Sequence, residues 1–458
     1  MFYSSIFCRR GVMNLVSFSL KTKGPHNFAR RLWTVFTRFG ITEARTRRAL
    51  YAVIDLLRKS DGAPTFFIPA VVLGRHPQLI TEVVNRGAEV GIHGYVHNDY
   101  RSLSESEQYA QTKQAISVFQ KTQTPYEGLR NPYLGWTEES LQVFTALGFS
   151  YDSNEAVFHD VIDLDRLPPH LRSGYEKSLV LFQAIPCNAC TVRPHFEGAL
   201  LRIPTSIPDD EMLFDRLRTT DPEEVGHIWS RVLERVYDLG GIYTLNLHPE
   251  RALLCKRALD ILLSCARNRP LPVWIARLMD IAQWWKERSQ FRLQITHEGG
   301  NRWRVEAICT TRATLLARHL TVEDQPTSPW FGPDVRVLSH SCIVSAKQCP
   351  CIGVSPQTPQ QVVDFLLEQG YPTVPCSLEE AHTYARYLDM PEGLGATRQE
   401  QLRQRSTLVQ QIEDLQAPFL HFGCWPDGRR AVVAISGDID SVTIQDFFLR
   451  ILEVIRSA

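Results

Sequence analysis

This chain has no excess of charge of either sign: 50 Lys and Arg face 50 Asp and Glu. Nothing global draws it to a phosphate backbone or an anionic lipid surface, so nucleic acid is excluded as the expected partner. No apolar run reaches the roughly 20 residues of a membrane span. "MNLVSFSLK" is much too short and reads as a buried strand, so no integral membrane segment is expected. The first residues do not read as a good secretory signal either, because Arg9 and Arg10 follow a very short apolar run and no small-residue cleavage site comes after a longer one. A start of translation at Met13 would leave the first dozen residues as an irregular tail. The eleven cysteines are an odd number, so at least one cannot pair within the chain. Without an export signal they read as reduced thiols, and the cytoplasm is the expected compartment. Cys187/Cys190 and Cys349/Cys351 are the only close pairs, and no second CxxC stands at a distance that would complete a four-ligand structural zinc site.

What remains is an ordinary globular composition, 44% apolar and 22% charged, over 458 residues. That length exceeds one compact core, so more than one domain is expected. After a tail over 1–11, residues 12–290 alternate short apolar runs with amphipathic stretches. "LVSFSL" (15–20), "PTFFIPA" (64–70), "AEVGIH" (88–93), "YEGLR" (126–130), "ALLRIPTSIPDD" (199–210), "GGIYTLNLHPE" (240–250) and "LPVWIA" (271–276) read as strands. Helices are expected between them, for example 29–40, 46–62 and 76–87, with a Cys/Pro-rich excursion before 200. The alternation predicts an α/β fold, a distorted (β/α) barrel, in which working residues sit where strands end. Beyond 290 the rhythm changes. Residues 291–428 read as an accessory α+β region with a hairpin around Gly299-Gly300 and a polar helix over 398–416. Residues 429–458 read as a strand, "RAVVAISGDID", and a final amphipathic helix that could return to the barrel.

Three places carry candidate chemistry. His93 and His97 flank a strand exit, with Gly94 permitting a sharp turn; two neutral imidazoles there can hold a divalent ion, or can be two ordinary loop histidines. In "GLRNPYLGW", Arg130 can orient a carboxylate through parallel hydrogen bonds, and backbone N–H groups beyond Pro132 can face a developing oxyanion. His248, at the end of a buried strand, can serve as general acid or base, or simply cap the chain before Pro249.

Taken in order, "TFFIPA", "EVGIHGYVHND", "LRNPYLGW", "LNLHPE" and "VWIA" resemble the polysaccharide deacetylase family, carbohydrate esterase family four, over about residues 12–290. The resemblance implies metal-dependent hydrolysis of an N-acetyl group on a sugar or glycan. It implies that His93 and His97 bind the ion, commonly zinc, and that Arg130 orients the catalytic aspartate. It further implies that the Tyr133 backbone N–H helps hold the oxyanion, that His248 protonates the leaving amine, and that Trp136 and Leu245 wall the acetyl pocket. Tyr95, Tyr100, Tyr133 and Trp136 would suit stacking on sugar rings, and would equally suit packing.

The family's first strand should end in two acids, and the matching stretch "LVSFSLKTKGPH" has none. The closing Gly-Asp-Ile-Asp offers a remedy: Asp438 as base and Asp440 as metal ligand, or the reverse, with the strand folded back beside the barrel. The alternative is that Asp438 and Asp440 cap the final helix near Ser441. Asp99 is a local substitute ligand, and Asp152 and Asp209-Asp210 are weaker candidates. Two readings follow. One is a metal-dependent deacetylase of an N-acetylated carbohydrate. The other is a catalytically inactive, deacetylase-like carbohydrate-binding protein. The glycan, the metal's identity and the oligomeric state are not legible.

Overall fold

The computed structural model describes residues 38–457; the tail over 1–11, the strand expected at 15–20 and most of the helix expected at 29–40 lie outside them. The chain forms α1 (Ala44–Arg58), β1 (Thr65–Ile68), α2 (Pro77–Asn85), β2 (Glu89–Ile92), α3 (Glu105–Lys121), β3 (Gly128–Leu129), β4 (Tyr151–Asp152), β5 (Ala156–Phe158), β6 (Leu200–Arg202), β7 (Thr205–Ile207), α4 (Pro222–Leu239), β8 (Ile242–Leu247), α5 (Ala252–Arg267) and α6 (Leu278–Arg288). Much later come β9 (Ala431–Asp438) and α7 (Ile444–Ser457). Helix boundaries follow local chemistry. The α3 helix begins at a reciprocal Ser104/Glu107 capping box. Asp221 and Pro222 open α4, and Gly240 closes it in the left-handed conformation. In α1, Leu50, Val53, Ile54 and Leu57 recur at helical spacing and all are buried.

The central sheet is parallel and curled, in the order β8-β9-β1-β2-β3-β4-β6. Only Ile203 and Pro204 separate β6 from β7, and β7 pairs back onto β8. One short kinked segment therefore joins the two ends of the sheet, which makes a distorted barrel within an α/β fold. The pairing that decides the site is β9: a strand from the C-terminal end lies between β8 and β1, with Leu247 opposite Gly437 and Phe67 opposite Asp438.

Strand parity divides the barrel cleanly. Val433 and Ile435 of β9, with Tyr243, Leu245 and Leu247 of β8, join the layer between strands and helices. Val432 and Ala434 of β9, with Phe67, Tyr151 and Ile242, fill the barrel's lower interior. That interior is crowded: a side chain at Gly91 would lie 2.6 Å from the Phe67 ring. The same apolar cluster continues into the region after 290 through Trp285, Trp425, Phe291 and Phe422, so barrel floor and accessory region share packed side chains.

Two stretches hold more regular structure than their patterns suggest. The excursion before 200 contains a helix, Pro169–Leu181, and Pro169 sits in its first turn, where proline is tolerated. Between the expected hairpin, Arg292–Gly299 with Arg302–Ile308, and the helix Gln360–Glu368 lie strands at Leu315–Arg318, Asp334–Val337, Ser341–Ser345 and Cys349–Val354. Their short, mixed runs carry little periodic signal.

Candidate metal and hydrolytic site

The upper interior is polar, and parity explains which residues reach it. Asn246 of β8, Ser436 and Asp438 of β9, and Arg130 just beyond β3 continue the inward-facing rows. Arg130 is fully buried. Its guanidinium donates to Asn246 Oδ1 at 2.7 Å, Ser436 Oγ at 2.8 Å, Ser153 Oγ at 3.0 Å, Thr205 Oγ1 at 3.1 Å and Asp438 Oδ1 at 3.3 Å. The second oxygen of Asp438 accepts from Asn246 Nδ2 at 2.8 Å. Each oxygen of this buried carboxylate thus has its own donor, and a buried charge needs such partners.

His93 follows β2 and is fixed by a hydrogen bond of 2.7 Å from Nδ1 to the Arg130 carbonyl. A carbonyl only accepts, so Nδ1 carries the proton and, in the neutral ring, Nε2 presents a lone pair. That lone pair faces Asp440 Oδ1 at 3.5 Å. Oδ1 is buried and has no hydrogen-bond donor. Gly94, at φ +76°, makes the turn that returns His97, and His97 Nε2 lies 3.2 Å from Asp440 Oδ2. The two imidazole centroids are 5.4 Å apart. Burial pushes His97 down toward the neutral ring against the pull of Asp440. Burial would push Asp440 up, but His97, His93 and Arg450 outweigh it and hold the carboxyl well below its usual range. Arg450 of α7 donates to Oδ2 at 2.8 Å.

His93, His97 and Asp440 form a group able to hold a cation. The orphaned carboxylate oxygen facing an imidazole lone pair is the test of fit. Two acceptors in contact repel unless a cation or proton lies between them, and a two-His, one-carboxylate set suits zinc and its first-row neighbours.

Opposite this group, the Tyr133 ring stands edge-on to His97 at 4.8 Å. Tyr133 and Leu134 both adopt left-handed backbone, φ +60° and +52°. Such residues cost roughly 1–3 kcal/mol each and persist only where the surroundings impose them. Here Asn131 imposes them: its N–H donates to Asn154 Oδ1 and its Nδ2 to the Gly135 carbonyl. His248 donates from its backbone N–H to one oxygen of Asp210 and from Nδ1 to the other, both at 2.7 Å. Burial would lower this imidazole, but Asp210 overrides it and holds it well above its usual value. Neighbouring Asp209 is pushed up to about 7 by burial and by Asp210.

The structure thus brings His93, His97 and Asp440 together, and joins Arg130 to Asp438. It does not bring Leu245 to the site: parity turns that side chain into the helix-facing layer, while Asn246 points inward. Trp136 is occupied too, with the Arg202 and Arg398 guanidinium carbons 4.3 Å and 4.5 Å from its ring centroid. Asp438 and Asp440 do not cap α7; Thr443 does, reciprocally with Asp446. Asp99 pairs with Arg101, Asp152 pairs with Arg202, and Tyr100 is buried against Thr112. Sequence reasoning missed Asn246, Ser436 and Arg450. Of these, Asn246 and Ser436 were accessible from strand parity with His248 and Asp438. It also undervalued Asp210, which no local pattern marks.

A family model described as polysaccharide deacetylase matches residues 44–151, just under a quarter of the chain. Among solved structures, a probable polysaccharide deacetylase from Pseudomonas aeruginosa PAO1 is 19% identical, with 52% of this chain and 72% of that one covered and a TM-score of 0.40. Peptidoglycan deacetylase PdaC from Bacillus subtilis is 25% identical over 21% of this chain and 48% of its own, TM-score 0.20. BA3943, a CE4 family pseudoenzyme from Bacillus anthracis, is 13% identical over 52% and 61%, TM-score 0.29. Among the described residues, no helix is long and apolar enough to cross a membrane.

Proposed function

We propose that this protein is a metal-dependent hydrolase that removes the acetyl group from an N-acetylated sugar or glycan. The observation that carries the reading is the meeting of His93, His97 and Asp440 around an orphaned carboxylate oxygen. These three would hold the ion, zinc in our reading. A divalent ion bound there supplies Lewis-acid polarisation of the amide carbonyl.

The chain's own residues divide the remaining work. Asp438, oriented by Arg130 and Asn246, takes the proton of the attacking water. The Tyr133 backbone N–H, on a loop held in left-handed conformation, donates to the oxyanion. His248, kept protonated by Asp210, gives its Nε2 proton to the departing amine. Base and acid are separate groups with opposed environments, as hydrolysis near neutral pH requires. The partner is an N-acetylated carbohydrate, and the compartment we propose is the cytoplasm, on the odd cysteine count.

The test is acetate release from N-acetylated oligosaccharides by the full-length protein, with metal content measured in the same preparation. The reading expects one ion per chain and turnover that chelation abolishes and zinc restores. An ion retained with no acetate release from any N-acetylated sugar would overturn it in favour of the inactive, carbohydrate-binding alternative.

A further inference from the structure

The three-stranded sheet beyond the barrel holds a feature unrelated to the hydrolytic site. Its central strand, Cys349–Val354, runs parallel to Thr373–Pro375 and Tyr384–Leu388. Cys349 is opposite Tyr384 and Ile352 opposite Arg386, so three steps on one strand match two on the other. The register slips there, as at a β-bulge. Alternate residues of a strand share a face, so Cys349, Cys351 and Gly353 point one way. The slip lies between Cys349 and Ile352, and the first two come together: their Sγ atoms are 3.5 Å apart. A third sulfur, that of Cys376, lies 2.6 Å from where a Cβ on Gly353 would stand. It is thus beside the pair, on the same face.

We propose that Cys349 and Cys351 form a thiol–disulfide exchange site, closed to an intramolecular disulfide by a low-molecular-weight disulfide such as oxidised glutathione. The sulfurs need to approach by about 1.5 Å to reach bonding distance near 2.05 Å. The Cys349 thiolate attacks one sulfur of the oxidant, and the oxidant's other half leaves as a thiolate that takes a proton. Cys351 then loses its proton and attacks the Cys349 sulfur, expelling the second half of the oxidant as a thiol. Two protein thiols are oxidised by two electrons, and the oxidant is reduced to two thiols. The pair is asymmetric in the required sense. Cys349 keeps 7% of its surface while Cys351 is sealed. The contact with Cys351 holds Cys349 below the usual thiol range, while the same contact and burial push Cys351 up. The accessible sulfur is therefore the attacking one and the sealed sulfur the resolving one.

The experiment treats the folded full-length protein with oxidised glutathione, alkylates the remaining thiols and reads the digest by mass spectrometry. The peptide bearing Cys349 and Cys351 is expected to lose two hydrogens, to regain them with dithiothreitol, and to do so unchanged in Cys376→Ser. In Cys351→Ser the same peptide is expected to carry glutathione on Cys349 instead, because nothing resolves the mixed disulfide. Both cysteines alkylated after treatment would overturn the proposal, as would a bridge that Cys376→Ser abolishes. None of these readouts involves metal or acetate release, so failure here leaves the hydrolase reading untouched, and the converse holds.

Discussion

Two buried clusters in this barrel are built from the same residue types and behave as opposites. Glu155, His195 and Glu197 converge as closely as His93, His97 and Asp440 do. In the first, arginine has taken the carboxylates: Arg398 spans Glu155 and Glu197 at 2.6 Å each, and Arg202 donates to Glu197 at 3.3 Å. Those guanidinium groups press on Trp136 as well. A cation entering there would displace hydrogen-bonded charges and meet two others. In the second cluster a single arginine reaches one oxygen, and the other oxygen faces a lone pair. Proximity of histidine and carboxylate is thus common to both, and an unpaired buried carboxylate oxygen distinguishes them. The arginine-filled cluster fastens the helix Arg398–Glu413 to the barrel, and the open one keeps a carboxylate oxygen free of donors.

Asp440→Asn should separate the clusters most sharply. It removes the proposed metal ligand without removing bulk, so bound zinc and acetate release should both fall, the latter by at least about a thousandfold, or some 4 kcal/mol. Thermal stability should fall little, since Arg450, the partner left behind, keeps about a quarter of its side chain exposed. A metal-free but fully active variant would erase the distinction. Glu197→Gln should do the reverse. Arg202 and Arg398 would lose a partner, costing about 3 kcal/mol, as breaking a buried pair does, with metal content unchanged in calorimetry and elemental analysis. The sign with pH follows. Burial would raise Glu197, but His195, Arg202 and Arg398 win and lower it. Its contribution is therefore present above the unfolded value near 4.5 and lost as pH falls below it. The variant should show a flatter decline of Tm on acidification.

The next variant tests the proton donor. In Asp210→Asn the imidazole of His248 keeps its burial and loses the charge that raised it, so its pKa falls. An acid must be protonated to act, so the alkaline limb of kcat/KM should move to lower pH. Activity at neutral pH should drop on the order of tenfold, part of the 10²–10⁴ a general acid contributes. An unmoved alkaline limb would assign the donor's role elsewhere.

The legibility of this molecule tracks the range of the interactions involved. The α/β barrel is readable because each strand and helix advertises its own period, and "AVVAISGD" announces a buried strand as plainly as any in the barrel. Its insertion between β8 and β1 pairs it with one strand 190 residues away and with another 371 residues away, as Ile242 opposite Val432 and Thr65 opposite Ser436 show, and no local pattern encodes such a register. Leu245 shows the cost of carrying over a motif without parity: three residues before His248 the side chain turns outward, and Asn246, two before it, is the one that reaches Asp438. Asp210 was undervalued because its partner lies 38 residues away on another strand. Trp136 looked like a pocket wall because Arg398, which covers it, belongs to a region the motif says nothing about.

Arg450 offers the finest distinction, because it makes the open cluster partly resemble the filled one. Its guanidinium donates to Asp440 Oδ2 and leans on the Phe447 ring, its carbon 5.2 Å from the centroid, with about a quarter of the side chain exposed. Two effects compete. As an orienting donor it would hold Asp440 toward the imidazoles and favour the ion; as a fixed positive charge sharing a ligand oxygen it would oppose it. His93 and His97 are already positioned by the Arg130 carbonyl and the Gly94 turn, and Asp440 is confined by the end of a paired strand, so orientation is secured without Arg450. Repulsion should then dominate, screened by its exposure. Arg450→Ala is expected to bind zinc about threefold to tenfold more tightly, at most some 1.4 kcal/mol. The gain should shrink as salt rises. Weaker binding in this variant would mean that the arginine completes the site, and that the two clusters differ in degree alone.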